Sequence, residues 1–443
     1  MSGFEEFLPL YACTFQKVTP QLELPSYHMN HGRTSRLLWT LLWGALCLGC
    51  ASTSLQTPST RRPYDRKASV LHPEVVLHRN MTSSSVDLYL SVNRAELLYS
   101  RASASSPFVA QLQVNLLDTS WTVVDTAWDQ TPSLLRMRQT WQGRVVPAWA
   151  ECEVMDLQRN TSWSTRRFLG PSDEIGARDV LAWSQHDKWA VRPDQATVND
   201  TLRLMLPAEL TQRSEGEAAW LLYHVTPPKS LPPPPYSGTR VRWDTLTPVN
   251  VGQVVADSML VVQVAEGLTL FELASNELAI HVHGRQARFP ELGPAPSLIA
   301  PVRYIATRAE HNKLKQANHP KLALDEFWLA CGRTPNKART LLQTYYDRVE
   351  EANHAFSGLV DGWKTDRGMV HVVFGVPQRI RRDAWNEYWV YGEEGTTNAL
   401  TFHFRRKTTP YDDNHFVLQR SIQFRSAWDR AVSAWRNGRV RAN

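Results

Sequence analysis

The apolar residues of this chain change their spacing twice, and those two changes limit its fold more than any other feature. From about residue 75 to residue 282 they alternate with period two, as strands with one buried face require. From Tyr304 to Phe356 they recur at intervals of three and four, the spacing of helices. Beyond Gly368 the alternation returns. A single all-helical or all-parallel architecture cannot carry both patterns, so at least two kinds of layer must follow one another along the chain.

The period-two part divides in two. Val86–Val92, Phe108–Leu116, Trp121–Val124 and Ala150–Leu157 read as strands of one domain over 75–175. Leu202–Leu206, Ala219–Val225, Leu260–Val264 and Leu278–Val282 read as strands of a second over 176–300. Short strands with polar turns and no intervening helix suggest antiparallel Ig-like sandwiches, one or two of them. No internal repeat of fixed short period is visible. Between two of these strands, Pro232-Pro233-Pro234-Pro235 cannot enter a hydrogen-bonded ladder and is expected to form an exposed polyproline loop. The 17 Trp residues are scattered along the expected strands and helices, which places them in cores rather than on one contact face.

The third region, 301–443, is expected to be an α+β domain of three helices packed on an antiparallel sheet. The helices are expected over Tyr304–Gln316, Pro320–Ala330 and Pro335–Phe356, the last opened by Thr334 as cap and Pro335 at the first position. It places Ala338, Leu341, Leu342, Tyr345, Val349, Ala352 and Phe356 on one face, a stripe that needs a sheet to cover it. Met369–Phe374, Tyr388–Tyr391, Leu400–Phe404 and Phe416–Leu418 are the expected strands, with Gly375-Val376-Pro377 closing the first. Ser426-Ala427-Trp428-Asp429 has the pattern of a capping box opening a last helix that Gly438 ends.

The amino terminus reads as a leader. From Met29 there is a basic stretch, then the charge-free apolar run Leu37–Leu48, then small residues before Cys50. The run is too short to span a bilayer. This makes 29–49 an expected signal peptide, Met29 the expected true start, and 1–28 an upstream extension. Leu48-Gly49-Cys50 resembles a bacterial lipobox, with Cys47 where Leu is usual. By that resemblance Cys50 is acylated, membrane lipid becomes a partner, and 50–74 is a tether from the outer membrane. Of the remaining cysteines, Cys152 alternates with apolar strand residues and Cys331 lies near a helix end. Two isolated cysteines form neither a disulfide framework nor a metal cluster.

Between the longest helix and the expected sheet lies Gly362-Trp363-Lys364-Thr365-Asp366-Arg367-Gly368. With Phe327-Trp328, Tyr345-Tyr346-Asp347-Arg348-Val349, Ala352-Asn353, Phe356, Phe374-Gly375-Val376-Pro377 and Trp389-Val390-Tyr391, this stretch resembles the GWxTD domain family. The resemblance covers about residues 300–405 and implies a bacterial envelope protein; the family has no assigned biochemical function. Family members usually carry Asp where Gln378 stands, so a carboxylate there is absent from this chain.

Two functions compete for the motif. An enzyme would use Asp366 and Arg367, with His371 as acid or base, in a hydrolase-like or carbohydrate-acting site. No nucleophile accompanies them in the sequence, no phosphate-binding glycine loop or cofactor motif is visible, and His311, His319 and His354 lack metal-ligand spacing. An architectural motif would use Gly362 to end the helix and Trp363 to plug its junction with the sheet. Thr365 and Asp366 would then satisfy turn donors, and Arg367 would pair with a carboxylate. The second reading is preferred, with Gly368, Gly375 and Pro377 as further structural or binding residues. The function that follows is a protein-binding or assembly module with an envelope protein partner. The tail from Arg405 carries nine Lys/Arg against three Asp, 9 − 3 = +6, which is the whole net charge. It is expected to be a solvated helix face rather than a nucleic-acid surface.

Overall fold

A computed structural model describes residue 64 and residues 69–440, apart from 81–82, 130–132, 171–178, 208–217, 229, 239–245, 247, 257, 274–278, 394–398, 410 and 413. The expected upstream extension, signal peptide, Cys50 and all of the tether before residue 69 except Tyr64 lie outside the described residues. No helix among the described residues is long and apolar enough to cross a membrane.

The first β region comprises β1 (Glu74–Asn80), β2 (Ser85–Asn93), β3 (Ala110–Leu116), β4 (Thr119–Asp125), β5 (Leu134–Gln142), β6 (Trp149–Asp156) and β7 (Thr161–Phe168). They form two antiparallel sheets, ordered β1-β2-β5 and β4-β3-β6-β7. Alternate residues such as Val86, Leu88, Leu90, Leu112, Val114, Cys152 and Val154 fill the single core between them. Cys152 is fully enclosed there, and burial pushes its thiol up to about 12.

The second β region comprises β8 (Leu181–Ser184), β9 (Trp189–Val191), β10 (Ala196–Thr197), β11 (Thr201–Met205) and β12 (Ala218–Val225), then β13 (Val249–Ala256), β14 (Met259–Gln263), β15 (Gly267–Leu273) and β16 (Ala279–Arg285). Its sheets run β14-β11-β8-β9 and β10-β16-β15-β12-β13, antiparallel except for the short parallel pairing of β10 with β16. Leu202, Leu204, Trp220, Leu260, Phe271, Ile280 and Val282 share their core. The two β regions meet through an aromatic cluster, Tyr89 against Trp183 and Trp189, and through a buried ion pair. Arg79 donates to both carboxylate oxygens of Asp179, at 2.6 and 2.7 Å, with both side chains buried.

Helices follow: α1 (Ala295–Ile299), α2 (Arg308–Lys315), α3 (Pro320–Gly332) and α4 (Pro335–Phe356). The first expected helix, Tyr304–Gln316, begins four residues later than expected, because Thr307 and Glu310 form a capping box that starts α2 after the turn at Pro301–Tyr304. The expected bounds and cap of α4 hold, with Thr334 accepting from Lys337 N. Its apolar stripe is covered mainly by α3 and by a further helix, α5 (Asp366–Phe374), while the sheet meets only its end through Phe356 and Trp389.

Helix α5 corrects the expected strand at Met369–Phe374. Thr365 caps it by accepting from Gly368 N, and Gly375, at φ +80°, ends it with its N–H on the His371 carbonyl. Every residue from Asp366 to Val373 is buried. A helix enclosed on all sides has no polar face to reveal its period, so its Val-rich sequence imitates a strand. The sheet proper is β17 (Arg379–Arg382), β18 (Asn386–Tyr391), β19 (Leu400–Arg406) and β20 (Phe416–Leu418), antiparallel and in that order. The last helix, α6 (Arg425–Arg436), starts before the expected box at Ser426, with Phe424 in the cap position and no side-chain cap bond.

The polyproline segment is docked rather than exposed. Pro232 and Pro235 are buried, Leu231 and Tyr236 pack against the helical core, and Ser421 N donates to the Pro235 carbonyl at 3.1 Å. The basic tail is likewise not simply a solvated face. Arg406 is buried with its guanidinium 3.5 Å from the Phe168 ring, and Arg436 donates to both oxygens of Glu310.

Candidate functional site

The motif is a short turn, Gly362–Lys364, that leads into α5 and packs backbone against backbone. A methyl group on Gly362 would fall 1.8 Å from the Ala352 carbonyl oxygen of α4, and one on Gly368 would fall 1.9 Å from the Gly362 carbonyl. Only glycine permits these two approaches. Gly362 does not end α4, which stops at Phe356; it presses against the last turns of that helix instead.

Around this contact each motif side chain has a structural partner. Trp363 is buried beside Tyr304, whose hydroxyl donates to the Trp363 carbonyl at 2.7 Å. Gly362 N donates to Ser357 Oγ and Trp363 N to Asn353 Oδ1. Thr365 Oγ1 donates to the Gly362 carbonyl while accepting from Gly368 N. Asp366 accepts from Leu418 N at 2.8 Å and pairs with both terminal nitrogens of Arg420. It therefore fixes β20 against α5. Arg367 lies over the Phe416 ring at 4.0 Å, donates to the Asn414 carbonyl at 2.8 Å, and forms an ion pair with Glu387 of β18 at 3.5 Å.

The residues before the motif are tied down in the same way. Asp412 accepts from Leu359 N and Asn414 N, and it occupies the space above Gly358. Arg285 of β16 donates to Asp361 at 2.8 Å and to the Gly358 carbonyl, which joins the second β region to the motif. Burial works against charge at Asp361, but Lys364 and Arg285 outweigh it and hold its carboxyl below the usual range. Leu359 and Val360 share a small apolar core with Val225, Leu268 and Leu270 at the same seam. Nearby His283 is pushed down to about 3, first by burial and then by Arg285.

The three residues of the catalytic reading do not share the cleft beside the motif: Arg367 and His371 lie one helical turn apart against Phe356, and of the three Asp366 alone lines it. His371 stands on α5, not on a strand, fully buried with Nε2 2.9 Å from Glu351. Asp366 faces β20, and Arg367 lies between Phe416 of β20 and Glu387 of β18. The cleft beside the motif is lined by Lys364, Thr365 and Asp366, by Pro228 and Pro232 of the docked segment, and by Phe416 and Arg420. Neither His371 nor Arg367 lines it. Gly375 accommodates the Arg348 guanidinium where a side chain would sit, and Pro377 is buried in the connection to β17. Gln378 accepts from Gly392 N, closing the β18 end with an amide oxygen. Among the described residues no group of His, Cys, Asp and Glu is arranged to hold a metal ion.

Several participants are missing from the expected set: Glu387, Asp412, Arg420, Asn353 and Ser357. Glu387 has a visible signal, because it occupies an inward position of β18 where alternation demands an apolar residue. A buried carboxylate there needs a cation. Arg420 and Asp412 have no such signal, since turn-rich sequence around them gives no partner.

Comparison with known proteins adds one match. Residues 268–437 fit the family model of the GWxTD domain, a longer span than the motif residues alone imply. It starts in β15, so the last two strands of the second β region lie within it. No curated protein matches the chain.

Proposed function

We propose, from the premise that residues 268–437 are a GWxTD domain, that this protein is a lipid-anchored bacterial envelope lipoprotein that acts as a binding or assembly module rather than as an enzyme. The observation that carries the reading is the occupation of the motif. Asp366, Thr365 and the terminal nitrogens of Arg367 are engaged by backbone or ion-pair partners within the fold, although Asp366 and Thr365 also line the cleft. A catalytic acid, base or nucleophile needs a free direction toward substrate. The apolar leader and Cys50 support the envelope address, and Ala51-Ser52 after Cys50, with no Asp there, resembles lipoproteins sorted to the outer membrane. The experiment is metabolic palmitate labelling with membrane fractionation of the wild type and Cys50→Ser. The reading expects label and outer-membrane recovery that Cys50→Ser abolishes; an unlabelled wild type overturns it. Crosslinking in native membranes then tests the partner, and a stoichiometric envelope protein adduct is expected.

The strand order also supports an Ig-like reading of both β regions. Taking β1, β2 and β5 as A, B and E places β4-β3-β6-β7 as C′-C-F-G. In the second region β8, β11 and β14 take the A, B and E places, and β13-β12-β15-β16 repeat C′-C-F-G.

A further inference from the structure

We infer that the GWxTD domain carries a receptor pocket for a tyrosine side chain, and that Tyr64 occupies it in cis, latching the segment that precedes the first β region onto a domain more than 300 residues downstream. The hydroxyl of Tyr64 donates to Glu387 Oε1 at 2.9 Å across a sequence separation of 323. Its ring meets Phe356 edge-on at 4.8 Å and Trp389 at 5.6 Å, and the Arg382 guanidinium lies 4.9 Å from its centroid. These are the contacts of a built site: two fully buried aromatic walls, a cation over the ring, and an acceptor at the depth of the phenol oxygen.

Glu387 is shaped for that task. Trp389 Nε1 donates to its other oxygen at 3.0 Å, while Arg367 and Arg382 lie 3.5 and 3.7 Å from the oxygen that Tyr64 reaches. Burial opposes its charge, yet Arg367 and Arg382 prevail and hold its carboxyl below the usual range. The acceptor is therefore an anion, and an O–H donor to a buried anion makes a strong hydrogen bond. Burial in turn pushes the Tyr64 phenol up to about 12. Tyr64 holds φ at +68°, a conformation that a free chain seldom gives a bulky residue. Arg367 of the motif thus has a second consequence, because the carboxylate it steadies receives the latch.

On the lipoprotein reading the latch also limits reach. Cys50 and Tyr64 are separated by 64 − 50 = 14 residues, which span at most about 50 Å when extended. The latch itself does not depend on that reading.

The test uses the full-length chain and trypsin, whose sites at Arg66 and Lys67 flank the tyrosine. Under native conditions Tyr64→Ala is expected to raise the cleavage rate at these sites about tenfold or more. Tyr64→Phe, which keeps the ring and loses only the donor, is expected to raise it about fivefold. Rates equal to wild type in both variants overturn the latch. Should Tyr64→Ala unfold the chain, nitration of wild-type Tyr64 by tetranitromethane decides the matter. The latch requires reaction at least about tenfold slower than in the urea-unfolded chain; equal rates overturn it.

Discussion

The β regions and the GWxTD domain are held together on different terms. In the first β region the positions between the sheets are mainly apolar, with Asp125 and Asp156 buried at strand ends, and the elements touch through side chains. In the GWxTD domain α4, the motif turn and α5 touch through their backbones, and Asp366, Arg367, Glu387 and Asp412 are buried around that contact. The Arg79–Asp179 pair repeats the arrangement at the seam between β regions. Mainly apolar surface fills the layers, while the junctions add buried ion pairs to apolar contacts such as those of Leu359 and Val360. A layer core accepts substitutions of similar volume. A junction built on partnered charges fails when one partner is removed, because the other is left buried without compensation.

The largest effect should come from the motif's indole. Trp363→Ala is expected to lose about 3–5 kcal/mol, measured by urea denaturation, since it vacates a buried ring at the centre of the junction. Gly368→Ala should follow at about 3 kcal/mol, because its methyl group meets a carbonyl at 1.9 Å. Gly252→Ala in β13 meets nothing within 4 Å and is the matched control, with a change within about 0.5 kcal/mol. If both alanines cost the same, the distinction between junction and layer is lost.

Acid should act on the seam next. His283 is neutral in the fold, with its ring depressed to about 3 against an ordinary value of 6.5. The unfolded chain therefore binds a proton that the folded chain refuses. Stability from this group is complete above pH 6.5 and falls as the pH drops toward 3. Between pH 7.5 and 5 the loss should be about 2 kcal/mol in urea midpoints, and His283→Gln should flatten it. The smallest effect belongs to the exposed Lys321–Asp325 pair on α3, where Lys321→Ala should change stability by less than about 0.5 kcal/mol.

How much of this could be read from the chain follows the same division. Strands with one wet face declare themselves by alternation, as β2, β3, β6 and β18 do. Helix α4 declares itself through its cap and its stripe. Helix α5 does not, because complete burial removes the polar face that would mark its period. β5 escapes notice because Gln139 interrupts the inward set of Met137 and Trp141, and β7 because Trp163 and Phe168 are its only apolar residues. The repeated strand order of the two β regions is invisible in sequence, since topology is set by pairing and not by any recurring residue. In the site, the motif residues were legible as turn chemistry. Their partners Arg420, Asp412 and Tyr64 were not, because each arrives from a distant stretch whose local sequence gives no hint of an opposing charge or pocket. The four prolines show the limit clearly: they exclude a ladder, but they do not reveal that Pro232 and Pro235 are covered.

The central claim is that the polar motif residues hold the domain together. Thermal and urea unfolding of Asp366→Ala tests it most directly. The account predicts a loss of about 3–5 kcal/mol, because Arg420 loses its carboxylate and Leu418 N its acceptor. Unchanged stability in Asp366→Ala, together with a lost biological activity, would contradict it and return the motif to chemistry.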